Sequence, residues 1–82
     1  MSNYREYLPD LYEVLQPFSN EGEQLTEDTQ LVADLGLDSL KIMELMLEIE
    51  DHFDVSIPLN VLPDLRTIKD LAVQVGSLGG SA

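Results

Sequence analysis

Ser39 is the residue whose type and position are best suited to chemistry in this sequence. It lies in the segment Leu35-Gly36-Leu37-Asp38-Ser39-Leu40, which opens a strongly amphipathic helical pattern, with an acid directly before the serine. A serine at a helix start is either part of the helix cap or an attachment point for another group. Judged from the Asp-Ser dipeptide alone, the cap is the favoured interpretation, and the attachment point stays open.

A catalytic serine needs a base within hydrogen-bond reach, and the sequence supplies none near Ser39. The single histidine, His52, lies thirteen residues further along the same predicted helix, which places it about 20 Å away. Lys41 follows two positions after the serine, so it points to a different side of the helix. The flanking residues do not form a Gly-x-Ser-x-Gly elbow. We therefore expect a protein that is not an enzyme, with a hydrolase as the least favoured class.

Composition excludes several other kinds of site. The 82 residues contain no cysteine, which rules out disulfides and thiolate metal sites and favours a cytoplasmic location. The acids at 21–28 and 48–54 lack the spacing and glycine of a calcium loop. We expect no metal site, and no stretch is apolar for long enough to predict a membrane span or a signal peptide.

The charge of the chain is negative and unevenly distributed. The net charge is −12, and eleven of the 16 acidic residues lie between Glu21 and Asp54, where Lys41 is the only lysine or arginine. Such a field repels nucleic acid and anionic lipid and attracts basic protein surfaces. We expect basic protein partners, no nucleic acid and no membrane insertion.

Apolar periodicity predicts an all-α fold, a small bundle of three main helices plus one short helix. Asp38 is expected to cap the helix that Ser39 begins, Thr67 and Asp70 to form a capping box, and Gly76 to stop the last helix. Pro9 is expected to loosen the start of the first helix. The predicted helices span about 4–18, 39–53, 59–65 and 67–75, which gives a domain at 1–75 and a flexible tail at 76–82.

The helix at 39–53 carries two apolar lines rather than one. The first has the spacing of a core-facing stripe and comprises Ile42, Leu45, Met46, Ile49 and Phe53. The second lies on a neighbouring face beside acids and comprises Leu40, Met43 and Leu47. It is either the edge of a wide core face or a surface that contacts a partner.

The segment Asp34-Leu35-Gly36-Leu37-Asp38-Ser39-Leu40 resembles the attachment motif of acyl carrier proteins. The resemblance continues from about Leu31 to Val75, through Glu44, Glu50-Asp51, Phe53-Asp54 and Ile57-Pro58. It implies a 4′-phosphopantetheine arm on Ser39, donated from coenzyme A by a phosphopantetheinyl transferase, with Gly36 and Asp38 supporting the motif. The arm's thiol would hold an acyl group as a thioester for enzymes of fatty acid, lipid or polyketide-type biosynthesis.

The resemblance also implies two surfaces around that arm. A docking surface on the helix would meet basic patches on the transferase and on acyl ligase, ketosynthase or acyltransferase partners of a monomeric carrier. Its expected residues are Leu40, Met43, Glu44, Leu47, Glu48, Glu50 and Asp51. A pocket between helices would hold the acyl chain, and its expected lining is Ile42, Met46, Ile49, Leu65, Ile68 and Leu71.

Three departures from the usual housekeeping carrier indicate a dedicated carrier with few partners. Lys41 stands where an acid is common, residues 59–63 replace an acid-rich short helix with an apolar one, and the first helix contains Pro9. Two alternatives stay open: a carrier of aminoacyl groups loaded by an adenylating ligase, and an acidic interaction module that is never modified. Asp38, at a position where peptidyl carriers commonly have histidine, favours the acyl type.

Overall fold

The computed structural model describes residues 3–19, 22 and 24–79, and it confirms the expected all-α bundle. Three α-helices form the frame: α1 at Leu8–Leu15, α2 at Ser39–Phe53 and α3 at Ile68–Ser77. Short 3-10 helices lie at Tyr4–Tyr7, Gln16–Phe18 and Leu59–Asp64. In the described ranges β pairing is limited to one isolated bridge between Gln30 and Thr67. None of the helices there is long and apolar enough to cross a bilayer.

The first predicted helix, 4–18, is divided into a 3-10 helix, α1 and a second 3-10 helix. Proline lacks a backbone N–H and is tolerated in the first turn of an α-helix but not in its interior. Pro9 accordingly lies in the first turn of α1, and Pro17 lies in the first turn of the 3-10 helix that follows. The two prolines explain why α1 is short.

The core forms where the apolar faces of α1, α2 and α3 meet. Tyr7 packs edge-to-face on Phe53, with ring centroids 5.9 Å apart, an arrangement that aromatic pairs favour. α2 ends after Phe53 because Asp54 adopts a left-handed conformation, with φ at +56°. The most deeply buried large side chains are Phe53, Leu11, Leu15, Leu31, Leu45, Ile49, Ile68, Leu71 and Val75.

Gly76 does not stop the last helix, which corrects the prediction that this helix ends at residue 75. α3 continues to Ser77, and the glycine with a positive φ is Gly79, at +74°. A Cβ on Gly76 would lie 3.3 Å from a ring carbon of Tyr7. Gly76 therefore permits close packing inside the helix, and Gly79 follows the helix end. Residues 80–82 of the expected tail lie outside the described residues, so a tail there stays a prediction.

The long connection before α2 is fastened to the start of α3. The N–H of Leu31 donates to the carbonyl of Arg66 at 2.9 Å, and the N–H of Ile68 donates to the carbonyl of Thr29 at 3.1 Å. The expected capping box is present, since Thr67 and Asp70 each accept from the other's backbone N–H at 3.1 Å. These bonds fix the segment that leads into Ser39.

Candidate functional site

Ser39 is the first residue of α2, and its side chain is exposed. The helix cap is formed by Asp38, whose Oδ1 accepts from the N–H of Lys41 at 2.9 Å. Within the described residues the Ser39 hydroxyl has no hydrogen-bond partner. The confirmed cap at Asp38 therefore leaves Ser39 as an accessible primary alcohol, which is the feature that an attachment point requires.

Gly36 supplies the turn that presents Asp38 and Ser39 to solvent. Its φ is +68°, and a Cβ added there would meet nothing within 4 Å. The glycine is needed for backbone conformation and not for space. Leu35 and Leu37 on either side are buried. The buried side chains of Leu35 and Leu37, together with the start of α2, therefore fix the position of the exposed residues Asp38 and Ser39.

The second apolar line of α2 belongs to the surface. Leu40, Met43 and Leu47 are 67%, 47% and 63% exposed, respectively. Exposed apolar side chains that share one helix face are typical of a partner-binding site. The first line is mainly core: Leu45, Met46, Ile49 and Phe53 are buried, and Ile42 is partly buried.

The acids beside this apolar line differ in their surroundings. Glu44 is paired with Lys41, with 3.5 Å between Oε2 and Nζ. Glu48 and Asp51 are exposed, and neither forms an ion pair within the described part of the chain. These two carboxylates are the uncompensated charges of the face.

Glu50 differs from the other acids of α2 because its carboxylate accepts a hydrogen bond from the backbone. Its Oε2 accepts from the N–H of Ile57 at 2.7 Å, and the side chain is partly buried. This bond joins the last turns of α2 to the segment that follows Asp54. The bond gives Glu50 a structural contact at the end of α2, and its expected part in docking stays a prediction.

A cavity of about 470 Å³ opens beside α2. Of the six residues expected to line an acyl pocket, only Ile42 and Leu65 belong to its wall. Met46, Ile49, Ile68 and Leu71 are instead buried in the core. Sequence reasoning missed the other wall residues, which come from the connection before α2 and the segment before α3: Gln30, Val32, Ala33, Leu62, Pro63 and Arg66.

A second cavity, of about 380 Å³, adjoins the turn at Gly36. Its wall is formed by Pro17, Phe18, Leu35, Gly36, Leu37, Lys41 and Glu44. The sequence carried no signal for it, because its wall joins the end of the first helical segment to the start of α2. It places the Lys41–Glu44 pair beside an apolar wall.

His52 lies in the last turn of α2, at the opposite end from Ser39. Its Nε2 is 3.8 Å from Asp10 Oδ2 on α1, and its ring packs against Phe53. The structure therefore brings His52 to α1 and not to Ser39. No group of three or more potential metal ligands was found in the described ranges.

The titratable groups with shifted pKa values belong to the N-terminal part of the chain. Burial, followed by the negative charge of Glu27, raises the pKa of Tyr12. A hydrogen bond with Tyr4 is the main cause that raises the pKa of Arg5. Neither residue lies on α2.

Comparison with known proteins identifies relatives of this chain. Residues 10–73 match the family described as a phosphopantetheine attachment site. The chain is 42% identical over 55 residues to the mitochondrial acyl carrier protein of Saccharomyces cerevisiae, a match covering 67% of this chain and 44% of that protein. It is 43% identical over 49 residues to the acyl carrier protein of Syntrophobacter fumaroxidans, covering 60% of each. With the acyl carrier protein of Phytoplasma australiense it shares 36% identity over 62 residues, covering 76% of this chain and 82% of that protein.

Proposed function

The chain belongs to the phosphopantetheine-attachment family, and its similarity to curated relatives makes it an acyl carrier protein; we propose that Ser39 carries the prosthetic group of this chain. The cofactor of this family is covalently attached 4′-phosphopantetheine. The assignment rests on the different roles of two neighbouring residues, Asp38 and Ser39. Asp38 caps α2, so the exposed Ser39 hydroxyl is available.

The attachment would exchange the proton of the serine hydroxyl for a phosphopantetheinyl group. Ser39 Oγ would bond to the phosphorus of that group as the pyrophosphate linkage of coenzyme A breaks, adenosine bisphosphate would leave, and the serine proton would pass to a base of the transferase or to water. The resulting phosphodiester would lie at the N-terminus of α2, where free N–H groups and the helix dipole favour negative charge. Gly36 and Asp38 support the site by fixing the turn and the cap.

Once bound, the arm supplies a thiol that carries an acyl group as a thioester. The chain itself contributes attachment and a surface for recognition, and it acts as a carrier and not as an enzyme. We propose a monomeric cytoplasmic carrier that serves fatty acid, lipid or polyketide-type enzymes. The α2 docking surface is defined here by its exposed residues, which are Leu40, Met43, Glu44, Leu47, Glu48 and Asp51.

The charge of this surface supports partners with basic patches, including the phosphopantetheinyl transferase. Contacts between opposite charges mainly accelerate encounter and select the partner, and salt weakens them. The exposed apolar residues Leu40, Met43 and Leu47 add contact area between the acids. A surface of this kind suits a carrier that must leave each enzyme after delivery.

The cavity beside α2 supports acyl cargo over aminoacyl cargo. Ile42 belongs to its wall and lies three residues after Ser39, on the same side of the helix and about one turn away. An acyl chain that enters the cavity gains about 0.8 kcal/mol for each buried methylene. We propose that this cavity, with Ile42 and Leu65 in its wall, is the acyl pocket.

The proposal is tested by measuring intact mass after incubation with coenzyme A and a broad-specificity phosphopantetheinyl transferase. The chain should gain the mass of one arm, and Ser39→Ala should gain nothing. Ser56→Ala, which alters an exposed serine after α2, should be modified like the parent. An unmodified parent chain would support the acidic interaction module instead.

A further inference from the structure

The wall of the cavity beside α2 combines apolar side chains with one cation. Val32, Ala33, Ile42 and Leu65 give it a hydrocarbon lining, and Arg66 belongs to the same wall. The side chain of Arg66 is exposed, so it lies where the cavity meets solvent. A ligand that consists of an apolar chain with a charged end would match this wall, because the chain could contact the apolar side chains and the charged end could contact Arg66.

Arg66 differs from the other three basic residues because nothing in the described ranges engages its side chain. Lys41 pairs with Glu44. Arg5 and Lys69 lie 5.7 Å and 5.3 Å from the centroid of the Tyr4 ring. The guanidinium of Arg66 has no hydrogen bond, ion pair or ring contact within that part of the chain.

The backbone of Arg66 is nevertheless fixed. Its N–H donates to Asp70 Oδ2 at 3.0 Å, and its carbonyl accepts from the N–H of Leu31 at 2.9 Å. Leu31 is fully buried. The backbone of Arg66 is therefore held beside the cavity, so binding of a ligand needs to order only the torsions of its side chain.

We propose that Arg66 makes this cavity selective for acyl chains that end in a carboxylate, an inference that rests on the proposed function of Ser39. A chain with net charge −12 repels an anionic group unless a cation lies close to it. A guanidinium binds carboxylate through two parallel hydrogen bonds. The methylenes of the cargo contact the apolar wall, and its terminal carboxylate binds Arg66 at the rim.

The test compares two cargoes on the same carrier. Ser39 is loaded by the transferase from octanoyl coenzyme A or from the coenzyme A thioester of the dicarboxylic acid of equal length. Arg66→Gln removes the cation at the cavity, and Lys69→Gln removes a cation beside Tyr4 as the matched control. Thermal unfolding is measured for each loaded protein at low and high salt, and the Arg66 Nε–H signal is recorded by NMR.

The dicarboxylic form should lose about 1–5 °C in Tm on Arg66→Gln, beyond any change in the octanoyl form. The extra loss should shrink at high salt, and Lys69→Gln should change both forms equally. The Arg66 Nε–H signal should move with the dicarboxylic cargo only.

Equal Tm changes for the two cargoes, with an unmoved Arg66 signal, would overturn the inference and leave the carrier function intact. A chain that gains no arm from either coenzyme A thioester would overturn the proposed function and this inference with it. The mass measured before unfolding separates the two failures.

Discussion

Lys41 Nζ lies 3.5 Å from Glu44 Oε2, within the first two turns of the helix that Ser39 begins. The pair compensates one carboxylate of the proposed α2 docking surface, close to the proposed attachment site at Ser39. Both side chains are exposed, so the pair adds little to stability. The pair instead changes the electrostatic potential that an approaching enzyme would meet. Glu48 and Asp51 are the uncompensated charges that remain on this face.

Replacing Lys41 with glutamine should accelerate modification by the transferase. The change removes a positive charge and frees Glu44, so a basic enzyme surface is attracted more strongly. We expect kcat/KM for arm transfer to rise about twofold to fivefold at low ionic strength and to converge with the parent value at high salt. Lys69→Gln, which changes net charge equally away from α2, is the control. An equal rise in that control would assign the effect to net charge and not to the docking surface.

Charge reversal on the docking surface should slow the same reaction. Asp51→Lys places a cation where a basic partner would approach, and about a tenfold loss of kcat/KM is expected at low salt. Glu44→Lys should cost less, because Lys41 already compensates that carboxylate. Glu13→Lys reverses an exposed charge on α1 and should have little effect. Equal losses for Asp51→Lys and Glu13→Lys would argue against a docking surface on α2.

The different roles of Asp38 and Ser39 should be visible in stability. Asp38→Ala removes the side chain that accepts from the N–H of Lys41, and we expect it to lower the free energy of unfolding by about 1 kcal/mol. Asp38→Asn retains an acceptor oxygen and should be close to the parent. Ser39→Ala should change stability by less than about 0.5 kcal/mol, as is usual for exposed residues without a structural role. Urea unfolding of the three variants checks this. A larger loss of unfolding free energy for Ser39→Ala than for Asp38→Ala would indicate that Ser39 and not Asp38 caps the helix.

Glu50 should matter for stability and not for docking. Glu50→Ala leaves the N–H of Ile57 without its 2.7 Å acceptor, at an expected cost of about 1–2 kcal/mol in the free energy of unfolding. Glu50→Gln keeps an acceptor and should cost less. Glu48→Ala, at the neighbouring exposed acid, should leave stability unchanged. Transfer rates that fall with Glu50→Gln while stability is preserved would return Glu50 to the docking surface.

Local signals in the sequence were sufficient for α2 and for its cap. The apolar periodicity and Asp38 predicted a helix over the same residues that the structure assigns, Ser39–Phe53. The capping box of Thr67 and Asp70 was likewise readable, because each residue satisfies the other's backbone within one turn. These features depend on residues that are neighbours along the chain.

Features that depend on packing between distant segments could not be predicted from the sequence. Gly76 resembled a helix end, but its role is set by the approach of Tyr7. Glu50 resembled another surface acid, and only the fold of the segment after Asp54 brings Ile57 to it. Four of the six residues expected to line an acyl pocket lie in the core and not in the wall of the cavity beside α2, since periodicity identifies an apolar face without saying which part fills the core.

The central claim is that the arm is attached to Ser39, and locating the arm within the chain tests this most directly. Trypsin cleaves after Arg5 and Lys41, so the peptide 6–41 contains Ser39 and Ser19, whereas 42–66 contains Ser56. After modification with coenzyme A and the transferase, peptide mass and fragmentation should place one phosphopantetheinyl group on Ser39 alone. A modified 42–66 peptide, or fragments that place the group on Ser19, would contradict the account.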